Sequence, residues 1–279
     1  MSIKRLTVYV FISVILIYLG ISLFVYFIAE KIIFQPQVSS YRDTNQIIKL
    51  NSANGTQISA VYLENPESHY TILFSHGNAE DIGTALPTLE KMKDAGFSVF
   101  AYDYQGYGTS SGAPSEANAY GDIEASYDYL VNNLGVPPER IIAHGRSLGG
   151  AVALDLASKR PIGGLIIEST FVSAYRVMTR IPLFPFDKFN SLSKIKRVRC
   201  PVLVIHGKRD EVIPFWHGER LFEEANDLKT FLWVEMAGHN NLRATAGNDY
   251  EKAVLEFGAF IESNIKPISQ NDLLPLPQN

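Results

Sequence analysis

The sequence predicts an α/β protein: a mostly parallel, eight-stranded sheet with helices on both faces, preceded by one transmembrane helix. Three observations carry this expectation. Beyond residue 30, short β-branched runs alternate with longer stretches of helical period, the pattern of strands joined by crossover helices. Asn54-Gly55 lies between two early runs and marks a hairpin, so the first edge of the sheet is antiparallel. From Leu6 to Ala29 the chain is apolar and carries no charge.

That N-terminal run is bounded by Arg5 and by Glu30-Lys31. A hydrocarbon core about 30 Å thick needs about 20 helical residues, so the run is long enough to cross with some tilt. A cleaved signal peptide usually has an apolar region of about 7–15 residues and a small-residue site after it. Here the sequence continues as Phe27-Ile28-Ala29-Glu30-Lys31. A buried soluble helix is the third reading, and an end helix apolar on every face suits a core poorly. Residues 1–30 are therefore read as an anchor. Lys4 and Arg5 before the run, against Lys31 and the more distant Arg42 after it, favour the non-cytoplasmic side for the rest of the chain.

Strands are expected at 47–50, 57–63, 71–74, 98–102, 141–143, 165–167, 202–205 and 231–234, each apolar and closed by polar residues or glycine. The last six read as buried strands. Helical periods fall at 84–93, 117–133, 149–159, 215–225 and 250–265. One unit over 31–266 accounts for all of them. Residues 169–199 break the rhythm with Ile181-Pro182-Leu183-Phe184-Pro185-Phe186 and read as a lid-like insertion or as a packed loop that only covers core. The proline-bearing tail, 267–279, is expected to be loosely ordered.

Composition narrows the function. With 46% hydrophobic and 11% aromatic residues among 279, the chain is no disordered segment. A net charge of −4 argues against a nucleic-acid binder. The single cysteine, Cys200, excludes an internal disulfide and any cysteine-clustered metal site. The mean hydropathy of +0.02 averages the apolar run with an ordinary, more acidic remainder.

Gly145-Arg146-Ser147-Leu148-Gly149 is the strongest chemical motif, because it follows an expected strand and opens an expected helix. Such a turn lifts a serine hydroxyl above the sheet, and glycines two positions either side remove side chains that would collide. The helix N-terminus adds positive potential where an oxyanion forms. Serine needs a base and an orienting acid, which in this chain order come later as acid, then histidine. Asp210 follows the strand at 202–205, and His239 follows the strand at 231–234. Glu168 also ends a strand and is the second choice for the acid, whereas Glu211, beside Asp210, should point elsewhere. His144 and His206 read as structural, and His69 and His217 as surface residues. An oxyanion hole needs a donor from the residue after the nucleophile, Leu148, and one from an early loop, Ser75-His76-Gly77-Asn78-Ala79, where the Asn78 amide is the candidate.

There is no H-E-x-x-H, no clustered His and Cys and no Walker-type loop, and Gly106-Tyr107-Gly108 lacks the third glycine of a dinucleotide loop, so no metal or cofactor is implied. The basic run at 194–199 reads as a solvated segment, with anionic headgroups as its functional alternative.

Together with Asp103-Tyr104-Gln105-Gly106-Tyr107-Gly108, Val204-Ile205-His206-Gly207, Asp210-Glu211-Val212-Ile213-Pro214 and Gly238-His239-Asn240, these motifs resemble the α/β-hydrolase superfamily. More narrowly, the chain is similar to a membrane-associated group that includes depalmitoylases and lysophospholipase-like serine hydrolases. The resemblance covers nearly everything after the apolar run. It implies the α/β-hydrolase fold, Ser147 as nucleophile, Asp210 as acid, His239 as base, and a role for 103–108 in shaping the site. The depalmitoylase branch anchors through an N-terminal cysteine cluster; here only Cys200 exists, so attachment rests on the apolar run. The expected activity is hydrolysis of acyl esters or thioesters at a lipid membrane. A peptidase or amidase on the same machinery and a non-catalytic binding module are the alternatives.

Overall fold

A computed structural model describes residues 3–264. Ile265 and the tail at 267–279 lie outside the described residues. The first helix, α1 (Ile3–Ile33), is a 31-residue element whose apolar side chains are almost all exposed, and it is long and apolar enough to cross a membrane. Phe34, directly after it, is buried in the core.

The described residues after α1 form an eight-stranded sheet in the order β1-β2-β4-β3-β5-β6-β7-β8. β1 (Ile48–Asn51) and β2 (Gln57–Leu63) form the expected hairpin, with Gly55 at φ +78 in its turn. β2 pairs antiparallel with β4 (Ser98–Tyr102). All remaining pairings are parallel, through β3 (Thr71–Ser75), β5 (Ile141–Arg146), β6 (Gly164–Glu168), β7 (Val202–Gly207) and β8 (Lys229–Val234). Reversal of strand order around β3 leaves the first turn after β3 and the turn after β5 side by side at the carboxyl edge, where parallel α/β sheets place their sites.

Alternation along each central strand builds two cores. Leu73, Phe100, Ala143, Leu165 and Val204 face α3 (Glu116–Asn132) and α4 (Leu148–Ala157). Ile72, Val99, Ile142, Ile166 and Leu203 face α2 (Ile82–Asp94) and α8 (Asn248–Asn264). Polar capping sets where these helices begin. Asp81 accepts from the Thr84 amide and Thr84 returns a bond in a capping box, and Ser115 accepts from the Asn118 amide. α4 is buried on every side, as its apolar sequence requires. Shorter helices, α5 (Ser191–Ile195), α6 (Trp216–Glu224) and α7 (Leu242–Ala246), complete the cover.

Two expectations are corrected. β8 is the sheet edge rather than a buried strand: Phe231 is 50% exposed and most of its neighbours are half-buried. His217 is fully buried, not on the surface; it lies in α6, where its Nδ1 accepts from the Val172 amide at 3.2 Å. The insertion divides the two readings between its parts. Its base is packed core, with Phe171, Val172, Phe189 and Ile195 buried, whereas its tip around 178–185 faces outward.

Candidate active site

Ser147 sits between β5 and α4 with φ +53 and ψ −116, a backbone region that costs about 1–3 kcal/mol for a residue with a side chain. The surroundings hold it there. Its amide donates to Glu168 O at 2.8 Å, and its carbonyl accepts from Thr170 Oγ1 at 2.7 Å and from the Gly150 amide at 3.0 Å. The flanking glycines are required by close backbone approach. A Cβ on Gly145 would lie 2.0 Å from Gly149 O, and one on Gly149 would lie 2.0 Å from Ser75 O. Gly149→Ala should therefore destabilise the protein by about 3 kcal/mol or more. Urea unfolding checks this, and a loss below 1 kcal/mol (on the order of a surface change) would mean the turn can widen.

β7 delivers Asp210 and β8 delivers His239 to the same edge. His239 Nδ1 lies 2.8 Å from Asp210 Oδ2, and His239 Nε2 lies 3.1 Å from Ser147 Oγ. All three side chains are buried or nearly so. The second Asp210 oxygen accepts from the Val212 amide at 2.9 Å and the Ile213 amide at 2.7 Å. Burial acts to raise the Asp210 pKa, but the hydrogen bond and charge of His239 with the Ile213 amide outweigh it and hold it below the ordinary carboxylate range.

Glu168, the second acid the sequence offered, is engaged elsewhere. Its carboxylate accepts from Tyr250 OH at 2.6 Å and faces His144 at 3.5 Å and Arg146 at 3.7 Å. Burial opposes ionisation, yet His144, Arg146 and Tyr250 together bring its pKa from 4.5 down to about 2. The folded value lies below the ordinary one, so the ionised group adds stability above pH 4.5 that is lost as pH falls toward 2. Glu168→Gln should cost on the order of 3 kcal/mol near neutral pH, with the deficit shrinking across that acid window. Denaturant melts at a series of pH values read this directly. A deficit independent of pH would locate the effect in packing instead.

Leu148 is the first residue of α4, so its amide has no acceptor inside the helix. Asn78 lies on the loop after β3, beside this turn. The Asn78 side chain makes contacts that the sequence did not announce. Its Nδ2 donates to Ile33 O at 2.6 Å, and its Oδ1 accepts from the Gln35 amide at 3.0 Å and from Tyr107 OH at 2.6 Å. The end of α1 is thereby fastened to the candidate oxyanion loop, and the 103–108 loop supplies Tyr107 to the same junction. Tyr104 OH also donates to His76 O at 2.9 Å.

Arg146 and Glu80 were not singled out from sequence. They pair with each other; Glu80 accepts from the Gly77 amide at 2.7 Å, and Arg146 donates to His239 O at 3.2 Å and Asn240 Oδ1 at 3.0 Å. This pair ties the loops after β3 and β8 to the serine turn. Glu80, at the end of the His76-Gly77-Asn78-Ala79 loop, has no motif of its own, so only proximity reveals it. His206 packs structurally, its Nε2 2.8 Å from Ile213 O. Of the basic run, Lys194 pairs with Asp155 at 2.6 Å and Lys196 with Glu224 at 2.8 Å, so these two serve the fold.

The family described as "Serine aminopeptidase, S33" matches residues 66–192. The α/β hydrolase domain-containing protein aho-3 of Caenorhabditis elegans is 44% identical over 192 residues, 65% of this chain and 55% of that protein. α/β hydrolase domain-containing protein 17C of Xenopus tropicalis is 41% identical over 209 residues, 73% of this chain and 67% of that protein. The matched part is thus little more than half of the first relative's length. An esterase of Pyrococcus furiosus superposes with a TM-score of 0.68 at 20% identity, covering 80% of this chain and 97% of that one, a likeness of fold. Sheet order, the strained turn into a buried helix and these sequence matches agree, and the chain belongs to the α/β-hydrolase superfamily, in the family of the α/β hydrolase domain-containing proteins.

Proposed function

We propose that this protein is a membrane-anchored serine hydrolase that cleaves acyl esters or thioesters of lipids or lipidated proteins. Residues 1–30 act as the anchor and 31–266 as the catalytic unit, placed on the non-cytoplasmic side. The observation that carries this reading is the continuous relay Asp210–His239–Ser147, with contacts of 2.8 and 3.1 Å, at the strained turn. Ser147 attacks the acyl carbonyl while His239 takes its proton. The Leu148 and Asn78 amides hold the oxyanion, and His239 then protonates the leaving alcohol or thiol. Water, deprotonated by the same imidazole, releases the acid from the acyl-enzyme.

The acyl assignment draws support from the junction at Asn78, which binds the end of α1 to the oxyanion loop and so holds the reacting centre close to the anchor. A peptidase is the second reading, since the matched family is described by an aminopeptidase and an amine can leave through the same relay. A fluorophosphonate probe should label the full-length protein and fail on Ser147→Ala. Competition by long-chain acyl esters and thioesters supports the proposal, and competition by peptides alone moves the assignment to the peptidase. Absence of Ser147-dependent labelling would leave a binding module.

A further inference from the structure

We propose that residues 181–186, the tip of the insertion, form a second membrane-embedded element lying against α1 in the leaflet nearest the active site. The proposal rests on α1 being an anchor. Residues 181–186 are uncharged and apolar, and their aliphatic members face outward: Ile181 is 63% exposed and Leu183 48%. Such a run on the outside of a folded unit calls for an apolar partner.

The structure assigns that partner by position. Tyr18 OH donates to Leu183 O at 2.9 Å, and the Tyr26 ring meets Phe186 edge-on with centroids 5.4 Å apart. From Tyr18 to Ala29, the end of the apolar run, the helix rises about 16 Å. That is roughly half of a 30 Å hydrocarbon core. A helix that crosses with its apolar run therefore takes Leu183 into the hydrocarbon with it.

Part of the tip backbone is already paired, which counts in a medium where an unpaired polar group costs roughly several kcal/mol because water is absent. Pro182 and Pro185 have no N–H to satisfy. Arg180 O accepts from the Arg176 guanidinium, Ile181 O accepts from Thr179 Oγ1 at 2.9 Å, and Leu183 O is taken by Tyr18. Side chains thus occupy three carbonyls that a solvated loop would leave to water. Where the apolar stretch ends, charge returns on both elements together: Lys188 pairs with Glu30 at 3.0 Å. This pair marks the membrane surface, and Asn78 grips α1 one turn beyond it.

The test uses the full-length protein in phosphatidylcholine vesicles, on a Cys200→Ser background, with Ile181→Cys, Leu183→Cys, Leu16→Cys and Glu67→Cys each labelled with an environment-sensitive fluorophore. Phosphatidylcholine carrying a nitroxide on its acyl chain is the quencher. Positions 181 and 183 should lose fluorescence as position 16 does, while position 67, on the exposed far loop, does not. Quenching at 16 but not at 181 or 183 overturns the embedded tip and leaves the anchor standing. No quenching at 16 overturns both. Fluorophosphonate labelling of Ser147 in each variant reports the hydrolase reading separately.

Discussion

Ser147→Ala is expected to lower kcat on acyl esters by about 10⁶-fold, the scale on which removing a triad serine acts. The fold should survive, because the contacts that hold the turn use the Ser147 backbone: its amide to Glu168 O, and its carbonyl to Thr170 and Gly150. A residual rate about 10³–10⁴ above water should remain, from substrate binding and the two proposed oxyanion amides. Steady-state kinetics on purified protein, with a thermal melt alongside, make the measurement. A loss of less than about tenfold with the fold intact would remove Ser147 from the chemistry, since no serine nucleophile is that dispensable.

Asp210→Asn is expected to cost about 10⁴ in kcat with little change in KM. The reason lies in the direction the amide must take. The Val212 and Ile213 amides both donate to Asp210 Oδ1, so an asparagine keeps its carbonyl oxygen there and turns its NH₂ toward His239. Nδ1 then has to accept, its proton moves to Nε2, and the nitrogen facing Ser147 at 3.1 Å becomes a donor in place of a base. The variant should also be less acid-sensitive in stability. The folded Asp210 pKa is depressed, so the carboxylate contributes stability above its ordinary range that is lost as pH falls through the folded value; asparagine has none to lose. An unchanged kcat with the contacts intact would show that His239 needs no carboxylate partner. Glu168→Gln provides the contrast: it should weaken the fold while leaving the pH profile of kcat in place.

Strand and helix positions were readable from sequence because each depends on a few neighbouring residues. Alternation, β-branching, Asn54-Gly55 and the Gly-x-Ser-x-Gly spacing all act within one turn or one strand, and the structure extends 141–143 to Ile141–Arg146 without moving it. The expectation failed where burial is set by distant parts. Phe231 has an ordinary strand residue's chemistry, and only the sheet order makes β8 an edge. His217 has no local sign of burial, yet the insertion closes over it through Val172.

The site divides along the same line. Residue types and their order after each strand nominated Ser147, Asp210 and His239, and left Glu168 as a second acid. Tertiary contacts distinguish the two: Tyr250, His144 and Arg146 occupy Glu168, and His239 turns to Asp210. Sequence alone determined an α/β sheet, a strained serine turn and an apolar N-terminal helix, since local spacing and propensity suffice for those. The relay, the Arg146–Glu80 tie and the clasp of Asn78 on the end of α1 join residues far apart in the chain. Parallel register and crossover packing bring them within hydrogen-bond reach, and those are properties of the whole sheet.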